Sequence, residues 1–345
     1  MVRDQGSVRV SDVAAQIGVS EVTVRRDVNA LDRQGLVTRV HGGAITRPVT
    51  ERARERPPAQ HVLGVVIPSM DYYWPTIVNG VQTCAAVNRA QLVLRASSYA
   101  LEDDRQQVMA LLTTGHADAL LVAPLLTAYE ADGMLAWLEG LDIPVVLMER
   151  SVPSGFYSAR LEWVTTDQFH AAALAVREFA AQGHRRIGLL TNLGTPHRAA
   201  AIEGWARACE SLGLVTRGVV CEDAPRAISR DRDALLDGIV ERCLVTRTTA
   251  VLVHSDPEAI ALVQRATDLG LDVPGDLAVI AHDDEIAALS SPPLSAIRPP
   301  KREIGITAAN LALRRLTEPD WPLNHVVLCP ELVRRQSSGP HRAGK

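Results

Sequence analysis

The chain has 345 residues, 47% hydrophobic, 22% charged and 4% aromatic, with a formal net charge of −4. That length is long for one domain, and the apolar share is ample for a core. No run of about 18 or more uncharged apolar residues occurs, which excludes a membrane-spanning helix.

In chain order, the first strong signal is SDVAAQIGVSEVTVRRDVNALDRQGLVTRVHGG, residues 11–43. Val13, Ala14 and Ile17 fall at helical spacing, and Gly18 allows a tight turn. Ser20 suits the N-cap of a second helix, since its hydroxyl can take up a free backbone N–H. That helix runs through Val22, Val24, Val28 and Leu31, with Arg25 and Arg26 on another face. Two helices joined by a glycine turn, the second bearing arginines, form a helix-turn-helix pattern. GLVTRVHGG then alternates like a two-stranded wing, which carries Arg39 and His41.

Charge is unevenly spread. Residues 1–56 hold ten arginines against seven acids, a net of +3, which leaves −7 for the remainder. A basic head on an acidic body fits a head that meets phosphates and a body that does not. Residues 46–60, TRPVTERARERPPAQ, lack apolar periodicity and read as a solvated linker.

From His61 the pattern becomes strand, helix, strand, helix. VLGVVI (62–67) is a β-branched run of the kind buried on both faces. Further strands are expected at 91–97, 117–124 and 143–148, with helices over 75–88, 103–114 and 129–140. A second series gives helices over 168–182, 197–212, 230–243 and 257–269 and strands over 185–191, 218–221, 250–255 and 277–282. Two runs of βα units predict an α/β protein with two parallel-sheet lobes. Ligand binding then belongs at the carboxyl ends of the strands, in the crevice between lobes. The five cysteines are far apart and never form a CxxC pair, which argues against disulfides and against a zinc site. The N-terminus lacks the features of a secretory signal, so the expected compartment is the cytoplasm.

Two resemblances sharpen this reading. VSEVTVRRDVNALDRQGLVTRVHGG, residues 19–43, resembles the DeoR-type winged helix-turn-helix. Beyond the linker, IPVVLMER (143–150), QGHRRIGLL (182–190), EGW (203–205), TAVLVHSDPEAI (249–260), GLDVPGDLAVIAHDD (270–284), SPPLSAIRPPKREIG (291–305) and CPELVRRQSSG (329–339) occur in order. They resemble the effector-binding domain of LacI/GalR repressors, itself similar to periplasmic sugar-binding proteins of type I. The resemblances imply a winged helix-turn-helix over 1–46, a linker over 47–60, a two-lobed sensor over 61–338 and a disordered tail over 339–345. They imply a DNA-binding regulator, a repressor in kind, that forms a homodimer on an operator and answers to a sugar-like effector. No cofactor, no metal and no membrane are expected.

The head residues expected at DNA are Ser20, Thr23, Arg25, Arg26, Arg39 and His41. In the body, Asp283 ends a strand and can accept two sugar hydroxyls, or it caps the next segment, a role for which Asp284 is the better candidate. Ser255 stands where the family usually has Asn. Asp256 reads equally as a ligand group or a helix cap. Arg150 either reaches ligand oxygens or ties its lobe through carbonyls. Asp71 offers a carboxylate for hydroxyls, and Tyr72, Tyr73 and Trp74 offer either sugar-stacking faces or core aromatics. The family's usual arginine before the EGW-like motif is replaced by Ala201, so Arg198 or His197 is expected to substitute. The chain lacks GxxxxGK[ST], a nucleophile elbow and HExxH, which opposes an enzyme. No minor-groove hinge helix is legible between 46 and 60. DeoR-type heads open with a helix of about three turns, but only MVRDQ precedes Gly6. The expectation is a head lacking its first helix, with the true start upstream and apolar faces of the Val13/Ile17 and Val24/Leu31 helices left open.

Overall fold

The computed structural model describes residues 7–33, 37–40, 43–46, 61–98, 100–126, 131–152, 160–192, 195–225 and 231–340. It divides into two units, Met1–Ala59 and Gln60–Lys345.

In the first unit, β1 (Ser7–Arg9) leads into α1 (Val10–Ile17), followed by α2 (Glu21–Arg33), β2 (Val37–Val40) and β3 (Gly43–Thr46). Gly18 makes the turn between the helices at φ +69°, a conformation other residues rarely adopt. Ser20 caps α2 as expected, its Oγ accepting the Thr23 N–H at 3.2 Å. The small core joins Val10 and Ala14 of α1 to Val24 and Val28 of α2. Val22 is 76% exposed and Leu31 also faces solvent, because the buried stripe of α2 turns through Val24 and Val28 instead. Ile17 and Val19 are exposed as well. The hairpin β2–β3 pairs Val40 with Gly43, and β1 adds a third antiparallel strand to it. That third strand is only three residues long, too short to show a period. Met1 to Gly6, where the missing first helix was argued, lie outside the described residues.

The second unit holds two six-stranded sheets. The first has the order β14-β8-β7-β6-β4-β5. Its strands are β4 (His61–Ile67), β5 (Ala90–Ala96), β6 (Ala119–Val122), β7 (Val145–Met148), β8 (Glu162–Thr166) and β14 (His325–Leu328), all parallel. The second has the order β10-β9-β11-β12-β13-β15. It is built from β9 (Ile187–Thr191), β10 (Cys221–Asp223), β11 (Ala250–His254), β12 (Ala278–His282), β13 (Ser295–Arg298) and the antiparallel edge β15 (Glu331–Val333). Apolar runs bury both sheets on both faces: every residue of β6, β7 and β9 is buried.

The chain crosses between lobes three times. β8 leads directly to α6 (Gln168–Ala181) on the second sheet. β13 leads to α10 (Lys301–Thr317), which returns to pack beside α3 (Trp74–Val87) on the first. β14 then leads to β15 back on the second. The remaining helices are α4 (Leu101–Thr113), α5 (Ala131–Glu139), α7 (Arg198–Ser211), α8 (Arg232–Thr246) and α9 (Asp256–Asp268). The helices at 75–88, 103–114 and 197–212 were legible to within two residues. The strand expected at 218–221 begins instead at Cys221, opposite Leu189, because Gly218 turns the chain at φ +67°. β8, β13, α10, β14 and β15 were not assigned from sequence.

Glycine lets α3 and α10 cross closely. A methyl on Gly80 would sit 2.1 Å from the Arg302 carbonyl oxygen, and one on Gly305 would sit 2.0 Å from that of Ile77. In the second lobe the expected QGH segment places a fully buried His184 between Thr249 Oγ1 (2.9 Å) and the Gly339 carbonyl (3.2 Å). The described chain therefore continues through Pro340, past the position where a tail was expected.

Candidate functional site

Parallel strands all end on one side, so their carboxyl-terminal loops converge. Here β4, β7, β9, β11 and β12 deliver residues from both lobes to a cleft of about 760 Å³. The first lobe contributes Tyr72, Tyr73, Trp74, Glu149 and Arg150. The second contributes His197, His254, Ser255, His282 and Asp283, and Gln168 comes from the start of α6. Tyr72, Glu149 and Asp283 hold left-handed backbone, at φ 58°, 52° and 104°. Non-glycine residues pay strain there, and such strain concentrates at functional sites.

Asp283 lies where the sequence placed it. It is buried, and its Oδ1 accepts from His282 Nδ1 at 2.8 Å. Burial pushes its carboxyl up, but the hydrogen bond and charge of His282, with His254 and Lys301, hold it below the ordinary aspartate range. It caps no helix. Asp284, the expected cap, instead binds Arg298 Nη2 at 2.6 Å and Arg335 Nη1 at 2.7 Å. Ser255 borders the cleft and completes a capping box, its Oγ 2.7 Å from Glu258 Oε2.

Arg150 ties its lobe through carbonyls, one of the two roles that the sequence left open, and it also borders the cleft. Its Nε donates to the Pro124 carbonyl and its Nη1 to that of Glu149, both at 2.7 Å, while its guanidinium borders the cleft 5.7 Å from the Trp74 ring. Tyr73 and Trp74 meet edge to face at 5.8 Å. The Tyr73 hydroxyl donates to Glu149 at 2.8 Å, and burial followed by the Glu149 charge raises its pKa. Tyr72 spans the cleft, its hydroxyl accepting the Asp256 amide at 3.3 Å. Burial and then the charges of Asp283 and Asp256 raise its pKa too.

Three expected residues are not delivered to the cleft. Asp256 is a structural clamp: its carboxylate accepts the backbone amides of Asp284, Glu285, Ile286 and Ala287 at 2.7–3.2 Å. It is neither a free ligand group nor the cap of α9, which is Ser255. Asp71 turns back on its own loop, where its Oδ2 accepts from Ser69 Oγ at 3.1 Å. Arg198 is held by Asp223 at 2.9 Å. Of the two proposed substitutes for the family arginine, His197 is the one on the cleft wall. Burial and the charges of Arg150, His254 and His282 hold its pKa well below the ordinary range.

Sequence reasoning missed Glu149's role and both strand-end histidines. Glu149 is fully buried and accepts from Tyr73, Thr165 and Thr166. His254 and His282 are register partners on adjacent strands, with ring centroids 4.9 Å apart. Burial lowers the pKa of His254. The signal was present: AVLVHS and LAVIAHDD both end an apolar strand on histidine.

In the head, Arg25 and Arg26 are exposed on α2. Arg25 forms a solvent-side pair with Glu21 at 3.1 Å. Thr23 shares a 2.9 Å hydrogen bond with Ser20, so both hydroxyls sit at the start of the helix. Arg39 lies on β2, and its side chain is outside what the structure describes; His41 lies outside the described residues. Among the described residues no helix is long and apolar enough to cross a membrane.

A winged helix-turn-helix and a two-lobed parallel-sheet body in one chain define the architecture of a transcriptional regulator. Residues 1–47 match the DeoR-like helix-turn-helix domain and residues 176–338 the periplasmic binding protein-like domain. The HTH-type transcriptional regulator MalR of Streptomyces coelicolor is 30% identical, over 98% of this chain and 99% of its own. The chain belongs to the LacI family of HTH-type transcriptional regulators. Two solved structures share its fold. A LacI family transcriptional regulator from Enterococcus faecium with bound ribose aligns at TM-score 0.63 and 22% identity, over 81% of this chain and 99% of that one. The transcriptional regulator CelR–cellobiose complex aligns at TM-score 0.68 and 21% identity, over 96% and 99%.

Proposed function

We propose that this chain is a DNA-binding repressor whose operator affinity is set by a sugar-type ligand held between the body's two lobes. The observation that carries this is the composition of the cleft. Aromatic and cationic groups of the first lobe face a carboxylate and three imidazoles of the second across about 760 Å³. Ligand sites of about 300–1,000 Å³ with few convergent polar groups suit small molecules. A pyranose has an apolar face for Tyr72, Tyr73 or Trp74 and hydroxyl edges for Asp283 and Arg150. Ribose and cellobiose, the ligands of the two structures similar in fold, belong to this class.

A ligand touching both lobes favours closure by as much as it binds the closed form more tightly. In a homodimer through the body, residues 61–338, closure changes the spacing of two heads and so their fit to half-sites. Arg25 and Arg26 supply the DNA contacts on residues 1–46, with 47–60 as tether. Closure releases the operator, and the body performs no catalysis.

The test is a thermal-shift screen of the full chain against mono- and disaccharides, followed by gel-shift titration on DNA upstream of its gene. A ligand at about 100 times its Kd adds about 2.7 kcal/mol of stability. Failure of every sugar to raise the melting temperature overturns the ligand assignment. A stabilising sugar that leaves the gel-shift midpoint unmoved overturns the regulatory one.

A further inference from the structure

We propose that His254, His282 and Asp283 form a three-ligand site for a divalent transition-metal ion on the floor of the cleft. One donor atom from each of the three lies within 4.8 Å of the others, the one such trio among the described residues. His282 is 4% exposed, and its Nδ1 is held by Asp283 Oδ1 at 2.8 Å. Its Nε2 is buried with no hydrogen-bond partner, as is His254 Nδ1. A buried unpaired polar atom costs about 1–3 kcal/mol, so one on each of two neighbouring imidazoles, in a cluster that also holds a carboxylate, marks a place where something binds.

Two imidazoles and one carboxylate are the donor set of open zinc-type sites, in which a fourth position takes water or substrate. Imidazole ligands suit Zn²⁺, Cu²⁺ and Ni²⁺, while Mg²⁺ and Ca²⁺ prefer oxygen alone. Bonds of about 2.0–2.1 Å space tetrahedral ligand atoms about 3.3 Å apart. The trio must therefore contract by up to about 1.5 Å, and Asp283 must exchange its hydrogen bond to His282 Nδ1 for the ion or ligate through its other oxygen.

The surrounding charge permits it. Lys301 Nζ faces the site and binds the Asp283 carbonyl, but it is paired with Glu285 at 2.7 Å. Glu258 and Glu149 add two further acidic groups to the cleft wall, against Arg150. All three proposed ligands also border the cleft, so the fourth position faces its ligand space. The site departs from the expectation, for which the cysteine spacing was the argument, that the chain holds no metal. It does not depend on the sugar reading.

The experiment uses the untagged full chain, stripped with chelator and dialysed against Co²⁺, Zn²⁺ or Cu²⁺ alone. One ion per chain is expected, with Co²⁺ showing the visible bands of a four- or five-coordinate site. Thiolate-to-cobalt bands would instead place the ion on exposed Cys221 or Cys329 and overturn the proposal. H254Q and D283N should each weaken binding at least tenfold, and unchanged binding in both overturns it. Since either variant can perturb the fold, electron spin-echo spectroscopy of Cu²⁺ on the unaltered chain provides the second measurement. Two coordinated imidazoles support the site; none or one refutes it. Sugar binding to the stripped chain without metal uptake sinks this site and leaves the sugar reading standing. Metal uptake without any sugar response does the reverse.

Discussion

Gly305→Ala is a stringent test of how the first lobe is assembled. The added methyl would lie 2.0 Å from the Ile77 carbonyl oxygen, 2.9 Å from the Val81 nitrogen and 3.0 Å from the Ile77 carbonyl carbon. All three are backbone atoms of α3, so no rotamer change relieves the contact. Restoring ordinary separation requires α10 to retreat by about 1.4 Å, judged against the usual limit for close-packed atoms. That retreat loosens Ile304, Ala308 and Ala312 from Ile77 and Val81, all fully buried in one cluster. Overpacking of this kind costs about 1–3 kcal/mol, and a backbone clash belongs at the upper end. Alanine returns about 1 kcal/mol through its better helix propensity. The net loss is about 2 kcal/mol, or about 4 °C in melting temperature for a unit of this size. Gly80→Ala strikes the same crossing from the other side, 2.1 Å from the Arg302 carbonyl. Once the helices have parted the second methyl costs less, so the double variant should lose less than the sum. Thermal and urea melts of all three variants measure this. An unchanged or raised melting temperature for Gly305→Ala would refute the close-crossing argument.

Three further outcomes are expected. Replacing Arg25 and Arg26 together by alanine should weaken operator binding at least tenfold in a gel-shift titration and flatten its salt dependence, since each arginine supplies a base or phosphate contact; unchanged binding would place the DNA surface elsewhere. Asp256→Asn should lower the melting temperature while leaving ligand affinity in the folded fraction intact, because losing hydrogen bonds to a charged acceptor costs about 1.5–3 kcal/mol each and all four here go to backbone; a selective loss of ligand response would return Asp256 to the site. Arg198→Gln should leave effector affinity unchanged, and its destabilisation should fade with acid. The Arg198 hydrogen bond and charge hold the Asp223 carboxyl below its ordinary value near 3.8. A depressed folded pKa gives stability that is present above that ordinary value and lost as pH falls through the folded one. The gap between native and variant melting temperatures should therefore be full at pH 6 and narrow progressively only once pH falls below about 4; a gap that does not narrow at all between pH 6 and the lowest pH at which the chain stays folded contradicts the pairing.

What was legible in the sequence divides along the range of the interaction that decides each feature. Strand and helix identity in VLGVVI or TAVLVHSDPEAI is fixed by local pattern, and those elements stood where the pattern put them. α10 escaped because Gly305, Ala308, Ala309 and Ala312 share its packed face with Ile304 and Leu311, so much of its burial is achieved by closeness and the apolar stripe is diluted by small residues. β8 escaped because its first residue, Glu162, is a buried carboxylate whose partners among the described residues are Arg315 and Asn324, about 150 residues onward. The site divides in the same way. Asp283, Arg150 and Ser255 follow strand ends, and strand ends were readable. Arg198 and Asp71 carry suitable chemistry at suitable positions, yet a partner claims each: Asp223 from the neighbouring strand in one case, Ser69 in the other. No local rule announces such a partner. Asp256 shows the strongest form of this. Its carboxylate is consumed by four amides of the loop after β12, and that same loop carries Asp284 and follows Asp283 directly. The clamp thus fixes the backbone from which Asp283 is aimed, at a φ of 104° that aspartate would not hold unaided. A residue read equally as a ligand group or a helix cap instead sets the position of one that borders the cleft, so the strand-end rule located the right place while the partners decided which carboxylate faces the ligand space.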